Sequence, residues 1–243
     1  MNTCDYPQSP ITINLQVPTN IISPPQIILG WHNSPGTLRL DEEAGGGSFL
    51  YGDFSQEDPP STTTLRNMTI QGNQDVIYQL KSLHVHHPGE HAFSFPVTPF
   101  PSKSHFDGEI HIVSKAIING IDSYFVFSVQ FVKDDSAENS IITTMNSVSI
   151  TVAIALGNPF NILAIPISTN GLISIATYDG SLTTPIDATC CPGPVKWNVI
   201  MNPILLTTAF FNTIFPSEPN ARALQDNNNI PVSSFNWMPN NNP

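Results

Sequence analysis

Two histidines stand one residue apart in Leu83-His84-Val85-His86, and a third lies at the centre of Glu109-Ile110-His111-Ile112-Val113. Both segments alternate in the manner of β-strands, so His84 and His86 point to the same side with their Cβ atoms about 7 Å apart. If the two strands are neighbours, three imidazoles converge on one face and can share one metal ion. Zinc held by three protein ligands keeps a fourth position for water, the arrangement of a catalytic site rather than a structural one. Glu109 lies on the same strand face as His111 and can accept the ring N–H that faces away from a metal. Taken alone, a His-x-His pair on a strand is more often a surface or hydrogen-bonded pair.

The elements that must position these residues are strands. Ile11 to Val17, Val76 to His86, Gly108 to Ala116, Ser123 to Phe131, Ser147 to Leu156, Gly171 to Ile175 and Val195 to Met201 are rich in β-branched and aromatic residues and are bounded by turn formers. The 23 prolines are spread along the chain and interrupt helical patterns, so only a few short peripheral helices are expected. The reading is a mainly β fold, one domain over residues 1–225 with a large, mostly antiparallel twisted sheet. Residues 226–243, rich in Asn and Pro, read as a tail packed on that domain or extending from it.

Charge narrows the partners. Eight Lys and Arg face 19 Asp and Glu, a formal net charge of −11, which repels nucleic acid, anionic headgroups and sulfated glycans. No apolar run approaches the roughly 20 residues that cross a bilayer as a helix. Cys4, Cys190 and Cys191 form no Cys-x-x-Cys pair of a cysteine zinc site or redox motif, and a long-range disulfide is one use open to them. Met1 to Pro10 lacks the basic start and apolar stretch of a signal peptide.

Seven segments, in order along the chain, resemble α-class carbonic anhydrases. They are Gln8-Ser9-Pro10-Ile11, Leu83 through His91, Glu109 through Val113, Phe131 through Asn139, Tyr178-Asp179-Gly180-Ser181-Leu182-Thr183-Thr184-Pro185, Val195-Lys196-Trp197 and Asn220 through Gln225. The resemblance implies Zn2+ held by His84, His86 and His111, and reversible hydration of carbon dioxide to bicarbonate and a proton by a zinc-bound hydroxide. It assigns Thr183 as acceptor of that hydroxide's hydrogen bond, with the threonine's own proton passed toward Glu90, so that a lone pair faces the substrate. It further implies a carbon dioxide pocket of Val113, Val126, Leu182 and Trp197, with Thr184 on the polar side and Glu109 behind the metal ligands.

The match also carries departures. The region from Ala44 to Tyr51 has glycines and no histidine where fast relatives place a proton-shuttling one, so turnover is expected to be limited by proton transfer. Ser82 replaces the glutamine that usually supports the first zinc histidine. By resemblance Cys4 pairs with Cys191, Cys190 being the other choice, which implies an oxidising, extracytoplasmic location: secreted, or on a virion or cell surface. The rival reading is a non-catalytic binding or structural protein with the same fold, such as an adhesin, a storage protein or an assembly component. Esterase activity is a side reaction that the same centre would support.

Overall fold

The computed structural model describes residues 6–14, 28–35, 37–42, 48–53, 64–71, 76–94, 104–135, 173–183, 191–226 and 230–237. Twelve strands are present among them: β1 (Thr12–Ile13), β2 (Ile28–Pro35), β3 (Thr37–Glu42), β4 (Ser48–Asp53), β5 (Thr64–Gln71), β6 (Ile77–His86), β7 (Ala92–Phe93), β8 (Gly108–Ile118), β9 (Ile121–Lys133), β10 (Ile173–Gly180), β11 (Val195–Leu206) and β12 (Ser233–Trp237). One short helix, α1 (Thr208–Ile214), follows β11.

Ten of the strands form one sheet, whose main path runs β12-β10-β11-β9-β8-β6-β4-β3, with β5 joining β6 and β2 joining β5. Its pairs are antiparallel except β9 with β11. The expected mainly β architecture is therefore the observed one. Ser147 to Leu156 lies outside the described residues, as does the glycine-rich stretch 43–47.

The centre of the sheet is set by β8 and β9, both rich in β-branched and aromatic residues. Ile118 and Ile121 face each other across an Asn119-Gly120 turn in which both residues have positive φ, 52° and 78°. Asn-Gly is the dipeptide that adopts this mirror-image turn at least cost, and the turn's twist matches that of the strands. Away from the turn both strands are buried on two faces, because one side carries the core of Ile11, Phe93, Val113, Val126, Tyr178, Trp197 and Val199. On the other side, Phe131 packs edge to face with Phe215, just beyond α1, at 5.3 Å between ring centroids.

Within residues 226–243, the stretch Ser233–Trp237 adds the edge strand beside β10, with Phe235 opposite Ile175. Phe235 is buried there, which explains how an Asn-rich stretch gains order from one aromatic anchor.

Candidate metal centre

Strand register decides the site. On β6 and β8, His84 lies directly opposite His111, and His86 lies opposite Glu109. The alternation of β6 sends Leu83 and Val85 into the core on one side and leaves His84 and His86 on the other. The three imidazoles meet with ring centroids 5.2 Å apart for His84 and His86, 5.4 Å for His84 and His111, and 4.5 Å for His86 and His111. One ligand nitrogen from each lies within 4.8 Å of the others.

Their protonation suits a cation. Burial, followed by the neighbouring His111 and His86, pushes His84 well below the ordinary imidazole range, against a smaller pull from Glu109. Burial and His111 bring His86 down to about 4, with Glu90, Glu109 and the nearby Asn220 backbone opposing. Neutral imidazoles carry the lone pair that a metal needs. Neither ring nitrogen of His86 makes a hydrogen bond, although both are buried. Its Nδ1 stands 3.4 Å from Glu90 Oε1, an approach that becomes an ion pair only if the ring is protonated.

Behind the ligands sits Glu109, fully buried. Its Oε1 accepts from His91 Nδ1 at 2.6 Å, His111 Nε2 at 2.8 Å and the Ser128 hydroxyl at 2.6 Å, while Oε2 accepts from the His91 backbone N–H at 2.8 Å. Burial alone would raise this carboxyl, but His91 and His111 outweigh it and hold Glu109 well below its usual range. An ionised Glu109 fixes the His111 proton on Nε2 and leaves the Nδ1 lone pair for a metal. The network continues from His91 Nε2 to the Tyr178 hydroxyl at 2.7 Å, and from Tyr178 to the Ser9 hydroxyl at 3.1 Å.

Several of these supports were legible only as motif company. His91, which spacing alone gives no role, is the hub joining Glu109 to Tyr178. Asn220 clamps the end of β6, its side-chain amide donating to the Val85 carbonyl at 2.9 Å and its carbonyl oxygen accepting from the His87 N–H at 2.8 Å. The Arg222 backbone N–H donates to Glu90 Oε1 at 2.7 Å, and its guanidinium donates to the Ser9 carbonyl.

A cavity of about 240 Å³ opens on the cluster, lined by Lys81, Ser82, His84, His111, Val113, Tyr124, Leu182, Thr183 and Trp197. Val113, Leu182 and Trp197 make up the apolar part of this lining, with Thr183 beside them. Trp197 is held by its indole N–H donating to the Ser181 carbonyl at 2.8 Å. Val126, the cross-strand partner of Val113 on the same sheet face, is fully buried and is not among the lining residues. Glu90 is buried with Oε2 making no hydrogen bond. Thr184, Cys4 and Cys190 lie outside the described residues. Cys191 is buried, and its backbone N–H donates to Gln8 Oε1 at 2.9 Å, which brings the Gln8 segment against it.

No family model matches the chain, and no curated protein sequence is similar to it. Solved structures do resemble it. A fungal α-carbonic anhydrase from Aspergillus oryzae is 22% identical, with 90% of this chain and 81% of that one covered at a TM-score of 0.57. Carbonic anhydrase Cah3 from Chlamydomonas reinhardtii, in complex with acetazolamide, is 23% identical, with 95% and 91% covered at a TM-score of 0.57. Dioscorin complexed with ascorbate is 18% identical, with 95% and 86% covered at a TM-score of 0.52. The fold is that of the α-carbonic anhydrases.

Proposed function

We propose that this chain is a zinc enzyme that reversibly hydrates carbon dioxide to bicarbonate and a proton, with His84, His86 and His111 as its metal ligands. The observation that carries the reading is the convergence of three imidazoles beside a cavity that two of them line, with His84 and His86 held neutral and no well-formed hydrogen bond at either buried nitrogen of His86. A buried ring left so costs free energy unless a cation uses it. Three nitrogen donors and an open cavity fit zinc with a free position. Zinc held there supplies the acidity by which a water molecule loses its proton near neutral pH.

The chain's own residues supply orientation. Thr183 faces the cavity, and Glu90 Oε2 is a buried acceptor with nothing donating to it. A Thr183 hydroxyl that donates to Glu90 can only accept from the attacking oxygen, which turns a lone pair of that oxygen toward the substrate. Arg222 holds Glu90 in place through its backbone N–H. Val113, Leu182 and Trp197 offer an apolar, water-poor surface to carbon dioxide.

Stopped-flow hydration of carbon dioxide, with and without a sulfonamide, tested beside metal analysis, decides the matter. One zinc per chain and sulfonamide-sensitive turnover are the expected results. The second reading is a non-catalytic protein on the same fold, which zinc-loaded protein without hydration would establish.

A further inference from the structure

The sequence has eight lysines and arginines against 19 acids, yet one lysine lines the cavity that opens on the histidine cluster. The cause is a fault in strand register. Between β6 and β8, Leu80 pairs with Ser114 and Ser82 pairs with Val113, so two steps on β6 match one step on β8 and Lys81 is the extra residue. Such a bulge re-aims a side chain. Strict alternation would send Lys81 to the face of Leu83 and Val85, which are buried in the core. Instead Lys81 and Ser82, consecutive in the chain, line the same cavity as His84 and Thr183.

Among the residues whose side chains are described no carboxylate pairs with Lys81, whereas Lys115 and Lys196 are engaged with Asp122 and Asp179 at 2.8 and 3.0 Å. Among those same residues no acid lines the cavity, where Lys81 is accompanied by two histidines, Tyr124, two polar hydroxyls and the apolar wall. A chain of net charge −11 repels small anions from most of its surface, so a cation that lines the cavity, added to the charge of any metal held there, favours their entry.

We propose that Lys81 is a specificity residue of this cavity, strengthening its hold on small oxyacid monoanions of the carboxylate and bicarbonate class. The ligand's charged oxygens face Lys81 and the polar side, and its remainder lies along Val113, Leu182 and Trp197. As applied to bicarbonate turnover, this rests on the function proposed above; as a statement about binding, it does not. Lys81 then acts on the charged partner of the reaction and not on uncharged carbon dioxide.

The test uses Lys81→Met, which keeps the apolar stem, and Lys81→Arg, which keeps the charge. Acetate binding to the full chain is followed by ligand-observed NMR at low and moderate ionic strength, with the dehydration KM for bicarbonate and the hydration KM for carbon dioxide measured alongside. Lys81→Met is expected to weaken acetate binding and raise the bicarbonate KM by about three- to tenfold, most at low salt, with the carbon dioxide KM unchanged. Lys81→Arg should stay within about twofold of the parent, the magnitude set by retained charge. Equal acetate affinity in parent and Lys81→Met, or no acetate binding to the parent, overturns the proposal. Lysine-dependent acetate binding by a chain that hydrates no carbon dioxide leaves it standing while the enzymatic reading falls.

Discussion

The carboxylate of Glu109 and the ring of His91, eighteen residues apart, meet in a 2.6 Å hydrogen bond in the fully buried layer behind the histidine cluster. Because Glu109 also accepts from His111 and Ser128, removing it leaves several buried donors without an acceptor. Glu109→Ala should therefore lower stability by about 3–5 kcal/mol in urea unfolding, the range for breaking a buried charged network. Glu109→Gln keeps the volume and one acceptor oxygen but no longer fixes the His111 proton. It should fold, and it should bind zinc about 10- to 100-fold more weakly in a chelator competition titration.

His86 gives the opposite result. Its ring nitrogens make no hydrogen bond, so His86→Leu removes a buried polar group without orphaning a partner. Thermal unfolding of metal-free protein should show it at parental stability or up to about 1 kcal/mol above. The stabilisation that added zinc confers on the parent should vanish in the variant. A loss of several kcal/mol without zinc would mean that the ring serves packing, not a metal.

Acid should destabilise the metal-free chain well before ordinary carboxylates titrate. The fold holds His86 at about 4 against 6.5 in the unfolded chain, so the unfolded state binds more protons in between and stability falls as pH falls. The window runs from about pH 6.5 to about 4, and for His86 alone the integrated loss is ~3 kcal/mol. His84 adds to it in the same direction. Glu109, depressed in the fold, gives stability that is present above its unfolded value of 4.5 and is lost at still lower pH. Urea midpoints of chelator-treated protein across this range check the slope, and His86→Leu should flatten it.

Much of this arrangement was legible in the residues because β-structure writes a period of two. Alternation alone put His84, His86, Glu109 and His111 on matching faces, and register then delivered the cross-strand pairing of His84 with His111. The distant supports were not legible that way. Nothing in the spacing of Asn220 and Arg222 says that they grip the end of β6 and Glu90, because those contacts span more than 130 residues. Lys81 shows the limit from the other side: alternation puts it in the core, and only the shifted register with β8 turns it into the cavity. The strand at Ser233–Trp237 was hidden by its Asn-rich surroundings, since an edge strand needs little apolar content.

Gly108 opens β8 where it passes under the aromatic pair of α1. A Cβ there would stand 2.6 Å from the Phe215 ring and 2.8 Å from that of Phe211, two rings that stack on each other at 4.2 Å. Neither can retreat without disturbing the other or Phe131. Gly108→Ala should cost about 1–3 kcal/mol by overpacking, read as a lower urea midpoint with an unchanged slope. Zinc affinity should stay near that of the parent, because the displaced rings lie on the far side of the sheet from the cavity.

The last expectation concerns proton export. Among the described residues, the imidazoles lining the cavity are His84 and His111, both assigned to the metal, and the stretch from Ala44 to Tyr51 contains no histidine. Among the described residues a proton released in the hydration step then meets no further side-chain imidazole to carry it to solvent, and buffer is expected to do so. Proton export follows the chemical step, so it limits kcat without entering kcat/KM for carbon dioxide. Raising imidazole at fixed pH and ionic strength should therefore increase kcat several-fold toward a plateau while kcat/KM stays constant. A kcat indifferent to imidazole would require an internal carrier, for which Lys81 and Tyr124 are the remaining titratable groups of the lining, and the Lys81→Met enzyme would identify it.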